Sequence, residues 1–211
     1  MGSNARRTIA RATVLVFPKD DPYTYLEVRG TVSLVEDPDA AYIDAVIGRP
    51  DAGIINDRSV ALSRQVLAAL NESGGEANIS TGWHAIEFLL WGQDVDPDGP
   101  GRRPASDFLD GGARNADRRR LYLQLATELL ADDLQGLRDA WSPGQHNYRA
   151  AFAADTACIA KMFTGLGTLA RAELAGERLE VALDTLQQED EQSCFSDNTH
   201  NDFVAGVLGI R

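Results

Sequence analysis

The pattern of hydrophobic and polar positions divides the chain into a short β-like part and a long helical part. Residues 12–17 form an apolar run, ATVLVF, and the proline- and aspartate-rich residues 18–22 are typical of a turn. Apolar and polar residues then alternate over 26–34, which predicts a half-buried strand. We therefore predict a small N-terminal β-hairpin, followed by a helix over about 37–47 that begins with an Asp-Pro pair.

From residue 59 onward apolar residues recur at the three-to-four spacing of helices. Ser59 is predicted to cap the first of these helices, and Ser80 or Thr81 the second. A loop rich in Pro, Gly and Asp over 93–112 separates these from the later helices. Helices are predicted over about 59–71, 82–92, 121–141, 146–172 and 173–188. The fold class is therefore mainly α, an antiparallel helical bundle with the hairpin at its N-terminus.

The segment over 82–94, GWHAIEFLLWGQD, carries the chemistry of greatest interest. His84 and Glu87 are the only ionisable residues in its apolar interior, and three residues apart on a helix they project to one side. The other positions are apolar on every face, which predicts a helix buried on all sides. A buried carboxylate must be protonated, paired or metal-bound. The pair is either a hydrogen bond within a core or part of a functional site.

Charge and composition narrow the classes of partner. The net charge of −12 argues against nucleic acid or an anionic membrane surface. No apolar run reaches the roughly 20 residues of a membrane span, and the N-terminal residues lack the apolar core of a signal peptide. Cys158 and Cys194 are compatible with one disulfide or with two thiols. Acidic residues concentrate over 173–202, as a solvated helical face or as oxygen ligands for a cation.

Six stretches of the chain resemble the imelysin family, which includes proteins described as insulin-cleaving metallopeptidase-like or iron-regulated. The glycine-x-histidine-x-x-glutamate signature of that family is intact at Gly82, His84 and Glu87. The resemblance implies an all-helical fold of two bundle-like halves, a metal site at the signature and a place in the bacterial periplasm or envelope. The matching stretches are GIINDRS (53–59), GGEANISTGWHAIEFLLWGQD (74–94), PDGPGRRP (97–104), NADRRRLYL (115–123), ELAGERL (173–179) and EDEQSCFSDNTHND (189–202).

The first part of the chain resembles something different. Residues 11–46 are similar to the middle of a split-barrel flavin- or deazaflavin-binding protein of the pyridoxamine-phosphate-oxidase type. This divides the chain into a hairpin and short helix over 1–47 and an imelysin-like domain over 48–211, as in a chimera. A flavin is not expected, because the fragment lacks the strands to hold one. The exposed edge of the hairpin could pair with a second copy of the chain.

A divalent metal, iron or zinc, needs more ligands than His84 and Glu87 supply. Candidates lie in the acidic C-terminal segment, where the resemblance favours a shared polar pocket. Spacing alone also allows solvent-facing acids and ordinary capping residues there. A zinc-peptidase motif would place two histidines one turn apart and leave the glutamate free as a base, which this helix does not do. The pocket candidates are Glu173, Glu177, Arg178, Glu191, Ser196, Asp197 and His200.

These observations predict an imelysin-like, metal-binding helical protein with a His-x-x-Glu site and an iron-related or envelope role. Three alternatives remain open. The protein could be a metallopeptidase of the imelysin type, as the older family name implies. It could be a fragment of a flavin- or deazaflavin-dependent oxidoreductase, supported only by residues 11–46. It could also be a chimera without function.

Overall fold

The structure is a computed structural model that describes residues 39–75, 77–144 and 146–210. The predicted mainly helical bundle is confirmed, and the described residues contain no sheet, only an isolated bridge between Val46 and Arg49. Short 3₁₀ turns lie at Ala105–Phe108 and Gln188–Asp190. The helices are α1 (Ala40–Ile43), α2 (Arg64–Leu70), α3 (Trp83–Trp91), α4 (Ala116–Trp141), α5 (Tyr148–Ala154), α6 (Cys158–Thr168), a π-helical stretch (Leu169–Glu180), α7 (Val181–Thr185) and α8 (Thr199–Ile210).

The predicted β-hairpin, and with it the pairing of two copies through its edge, falls on residues 12–35 and lies outside the described residues. The helix expected over 37–47 is shorter than predicted, because α1 ends at Ile43. Asp39 caps α1 by accepting a hydrogen bond from the Ala41 amide, 3.1 Å away. Asp44 leaves the helix in an extended conformation, and its carboxylate turns inward to two arginines.

The predicted N-caps of α2 and α3 are wrong. Ser59 folds back on Asp57, and α2 instead begins after Ser63, whose hydroxyl accepts from the Val66 amide at 3.2 Å. The hydroxyl of Ser80 donates to the Leu67 carbonyl at 2.7 Å. Helix α3 therefore has no side-chain cap and starts after a glycine with φ of +89°, a conformation that favours glycine.

Helix α3 is buried on one face, and the prediction of burial on all sides is wrong. His84, Ala85, Phe88 and Leu89 point into the protein, whereas Trp83, Leu90 and Trp91 are 40–50% exposed. Helix α4 covers the buried face together with α1, and α2 packs against α4. The core that they form contains Ile43, Ile54, Ile55, Leu67, Ala85, Phe88, Leu89, Tyr122, Ala126, Cys194 and Phe195.

A buried ion network lies next to this core. Asp44 is fully buried and accepts hydrogen bonds from Arg119 of α4, at 2.7 Å from Nε and 3.1 Å from Nη2. Arg103, from the long loop, donates to the same carboxylate at 3.0 Å. Burial lowers the pKa of Arg103, and the neighbouring Asp44 carboxylate opposes that shift. The network joins the end of α1, the loop and α4 at one point.

A second arginine of α4 holds the segment before α2. Arg118 donates to the carbonyls of Ile55 at 2.8 Å, Ile54 at 3.0 Å, Asp57 at 2.9 Å and Val60 at 3.0 Å. One guanidinium thereby donates hydrogen bonds to backbone carbonyls of a segment that belongs to no helix or strand. The residues of the GIINDRS stretch are thus fixed to α4 through their backbone.

The loop over 93–112 is bound to the body of the protein at several points. The Arg103 amide donates to the Trp91 carbonyl at 2.8 Å, and the Gly101 amide donates to the Phe195 carbonyl at 2.9 Å. A Cβ on Gly101 would overlap the Trp91 carbonyl. The loop therefore connects the end of α3 to the C-terminal segment.

The helix predicted over 146–172 is broken at Asp155, whose carboxylate accepts from the Ala157 amide at 2.8 Å and from Lys161 Nζ at 2.7 Å. Helix α6 then runs without interruption through the π-helical stretch into α7, so no separate helix begins at residue 173. The large apolar side chains of α6 face outward, with Ile159 59% and Phe163 71% exposed. No helix in the described ranges combines the length and apolarity needed to cross a bilayer.

Two adjacent arginines of α4 test the buried network. Arg119 is 6% exposed and binds Asp44, whereas Arg120 is 43% exposed and binds Asp110 at the surface. We expect Arg119→Ala to lower the free energy of unfolding by about 3–5 kcal/mol, because it leaves Asp44 buried with a single cation. The matched Arg120→Ala should cost less than about 1 kcal/mol. Urea unfolding followed by circular dichroism measures both, and equal losses would contradict this role for Asp44.

Alanine substitutions at two glycines with similar φ distinguish the effect of backbone strain from that of steric overlap. Gly53 (φ +93°) lies against the backbone of Ile43 and Asp44, whereas Gly48 (φ +82°) has nothing within 4 Å of the position of a Cβ. Gly48→Ala should cost about 1–2 kcal/mol of stability through conformation alone. Gly53→Ala should cost about 1–3 kcal/mol more, because the methyl group displaces α1. Thermal unfolding of both variants measures the difference in stability. Equal losses would show that the overlap at Gly53 is relieved without a further loss of stability.

Candidate functional site

The histidine and glutamate of the signature contact each other on the buried face of α3. His84 Nδ1 lies 3.0 Å from Glu87 Oε2, and the two side chains are 11% and 12% exposed. The spacing of three residues places them one turn apart, as the sequence predicted. The rest of this face packs in the core, so the pair lies at the border between apolar packing and solvent.

The other oxygen of Glu87 binds the C-terminal segment. Glu87 Oε1 accepts hydrogen bonds from the Ser196 amide at 3.0 Å and from the Ser196 hydroxyl at 2.6 Å. Glu87 therefore makes three hydrogen bonds, one on Oε2 and two on Oε1. The structure thus brings together three of the residues singled out from the sequence, although Ser196 lies 109 positions beyond Glu87.

Packing around Phe195 fixes the position of Ser196. The Phe195 ring lies 5.2 Å from the ring of Phe88, and its carbonyl accepts from Gly101. Next to it, Ser193 binds Asp202 through its hydroxyl and the Thr199 hydroxyl through its amide. The segment is therefore attached to α3, to the long loop and to the start of α8.

The hydrogen bonds determine which nitrogen of His84 is available. An ionised carboxylate can only accept, so the Nδ1 of a neutral His84 must carry the proton that Glu87 binds. Nε2 is then left with a free lone pair, and it has no hydrogen-bond partner among the described residues. A histidine whose other nitrogen donates to a carboxylate is the usual arrangement around a metal. It is also that of a general base.

The described residues alone do not form a closed metal site. No group of three His, Cys, Asp or Glu side chains converges within the described ranges. Glu87 already accepts three hydrogen bonds from His84 and Ser196, whereas the Nε2 of His84 has none among the described residues and is the least engaged donor of the pair. A single imidazole falls short of the three protein ligands of a typical catalytic zinc site.

Asp197 belongs to an acidic group beside the site. Burial raises the pKa of Asp197, and the nearby Asp94 and Glu191 carboxylates raise it further. Asp197 also has a φ of +53°, which an aspartate adopts more readily than most residues. Gln188 donates to Asp94 on the other side of the group. Asp197 thus lies near Glu191 and near Asp94 at the start of the long loop.

The remaining candidates lie on the π-helical stretch and on α8. Glu173 Oε2 and Arg178 Nε are buried without a hydrogen-bond partner among the described residues. Burial raises the pKa of Glu173 and lowers that of Arg178, and the two charges oppose these shifts. Glu177 raises the pKa of Glu173, and His200 is exposed on α8. No hydrogen bond or ion pair between described residues joins these four to His84 or Glu87.

Arg103, which connects the site to the buried ion network, was not among the residues predicted from the sequence. The Arg103 guanidinium lies over the Phe88 ring, 5.2 Å from its centre, while it binds Asp44. Phe88 in turn packs against Phe195, the neighbour of Ser196. Arg103 lies among prolines and glycines in the PDGPGRRP stretch, which could have marked it as a structural residue. Its partner, Asp44, lies 59 positions away and could not be identified from the sequence.

Comparison with known protein families identifies the chain. The family model described as Imelysin, whose label places it among the peptidases, matches residues 5–211. The chain belongs to the imelysin family. No curated protein matches it.

The extent of this match corrects the interpretation of the N-terminus. Because the imelysin match begins at residue 5, the resemblance of residues 11–46 to a split barrel is not supported. The oxidoreductase and chimera hypotheses depended on that resemblance and lose their basis. The division into 1–47 and 48–211 stays a prediction, although the match crosses it.

The raised pKa of Asp197 predicts a pH-dependent effect on stability. Between the ordinary pKa of 3.8 and its raised value, the folded protein binds the proton more readily than the unfolded chain. Ionisation of Asp197 above that range therefore destabilises the fold. Asp197→Asn should be more stable than wild type at pH 7, and the advantage should disappear as the pH falls towards 4.

Urea unfolding at several pH values measures this advantage. The control is Asp184→Asn, which removes the same charge from an exposed position on α7. It accounts for the general effect of reducing a net charge of −12. If both variants gain the same stability at pH 7, the local environment of Asp197 has no effect.

Proposed function

We propose that this imelysin-family protein binds a divalent transition metal, iron or zinc, through His84 Nε2, and that Glu87 orients the histidine rather than acting as a ligand. The observation that supports the proposal is the 3.0 Å hydrogen bond between His84 Nδ1 and Glu87 Oε2. It leaves the lone pair of Nε2 available and fixes the orientation of the ring, as carboxylate partners of metal-binding histidines do. Imidazole suits both iron and zinc, so the choice of metal is left to experiment.

A metal bound by one histidine keeps most of its coordination positions free of protein ligands. The remaining coordination positions would be filled by water, by a ligand carried with the metal, or by groups outside the described residues. Such a site favours exchange of the metal over permanent retention, which agrees with an iron-related role. Because imelysin-family proteins are generally extracytoplasmic, we place the role of this chain in the bacterial periplasm or envelope.

The second candidate, a metallopeptidase, is favoured by the peptidase label of the family model. The geometry gives it less support. Glu87 already accepts three hydrogen bonds, and these compete with the proton that a peptidase base must accept.

Calorimetric titration with zinc, and with ferrous iron under anaerobic conditions, tests the metal proposal. Wild type should bind, and His84→Ala should abolish binding because it removes the donor nitrogen. Glu87→Gln should weaken binding by about 10- to 100-fold, the range for an outer-shell partner of a ligating histidine. The matched control is His146→Ala, which removes an exposed histidine elsewhere. Unchanged affinity in His84→Ala, or no binding by wild type, would exclude this site.

A protein-digestion assay with the same metals distinguishes the two candidates. Metal binding that depends on His84, without cleavage of casein or insulin, supports the binding protein. Metal-dependent cleavage that disappears in Glu87→Ala, but not in Asp184→Asn, would instead establish the peptidase.

A further inference from the structure

We propose that Ser196 is a positioning residue for the signature site, because it fixes the Glu87 carboxylate in the orientation that holds the proton of His84 on Nδ1. The link to metal affinity depends on the function proposed above, whereas the positioning itself does not. Ser196 lies outside the signature, in the loop before α8. It forms hydrogen bonds with Glu87 and none with His84.

The distribution of hydrogen bonds on Glu87 is the first step. Both donors of Ser196 meet Oε1, which leaves Oε2 for His84. A glutamate side chain has substantial rotational freedom and loses it on ordering. With both ends held, the carboxylate is confined to the orientation in which Oε2 faces Nδ1. Without the Ser196 hydroxyl, one short 2.6 Å bond is lost and other rotamers become accessible.

The backbone of Ser196 does not depend on its own hydroxyl. Phe195 is held by Phe88 and by the Gly101 amide, and Ser193 is held by Asp202 and Thr199. Replacement of Ser196 by alanine should therefore leave the segment in place and keep the amide bond to Glu87. Any effect of the substitution on the site can then be attributed to the loss of the hydroxyl.

Ser193 offers a matched control within the same segment. Its hydroxyl also binds a carboxylate, but that carboxylate is Asp202 of α8. Ser193→Ala removes an equivalent hydrogen bond from the loop without touching Glu87. A loss of loop order alone would affect both variants, whereas loss of positioning would affect only Ser196→Ala.

The direct readout is the tautomer of His84, measured from its imidazole ¹⁵N chemical shifts in the full chain without metal, at a pH at which the ring is neutral. Wild type should show the proton on Nδ1. Ser196→Ala should lower the ratio of Nδ1–H to Nε2–H by about three- to tenfold, the range for one lost hydrogen bond. Ser196→Thr, which retains a hydroxyl, should restore it, and Ser193→Ala should match wild type. Circular dichroism confirms that each variant is folded.

Zinc titration of the same variants is the second readout. Ser196→Ala should weaken affinity by about three- to tenfold as well, with Ser196→Thr and Ser193→Ala close to wild type. A shift in tautomer with no zinc binding by wild type would support positioning and overturn the proposed function. A tautomer ratio in Ser196→Ala within about twofold of wild type would overturn positioning, whatever the affinity. If Ser196→Ala is unfolded, Ser196→Cys, a weaker donor of similar size, replaces it under the same criterion.

Discussion

The buried carboxylate of Asp44 is the interaction on which the described structure depends. It binds Arg119 of α4 and Arg103 of the long loop, while its own backbone ends α1. Two cations and one anion removed from water are costly, and each is tolerated only because the others are present. Arg103 then lies over Phe88, and Phe88 packs against Phe195. The charge network therefore also supports the contact between Phe88 and Phe195, which holds the C-terminal segment against α3.

The chemistry of the site follows from how the donors are distributed around Glu87. A carboxylate with free oxygens can bind a metal or accept a proton, whereas one that already accepts three hydrogen bonds serves mainly to orient its partners. Glu87 is of the second kind, since His84 and Ser196 together occupy both of its oxygens. This is why we propose the histidine rather than the glutamate as the metal ligand, in an open, exchangeable site. It is also why the geometry favours a binding protein over a peptidase.

Sequence patterns predicted the features that depend on neighbouring residues. The bounds of α3 were predictable because a glycine lies at each end. The apolar spacing of α4 indicated where that helix ends, but it begins at Ala116 rather than at residue 121. Contacts between distant residues were not predictable, and Asp44 meets Arg119 across 75 positions. Ser59 was mistaken for a cap because its preference for the nearby Asp57 has no periodic signature. Ser196 was placed in a polar pocket by resemblance, but its bond to Glu87 required the fold.

The acidic C-terminal segment has a structural use that its composition did not indicate. Its carboxylates are divided between separate contacts, with Asp202 binding Ser193 and Asp197 lying near Asp94 at the start of the long loop. They do not converge on His84 within the described residues. The segment instead presents Ser196 to α3 on one side and attaches to α8 through Ser193 on the other. One short loop thus contacts both the signature helix and the C-terminal helix.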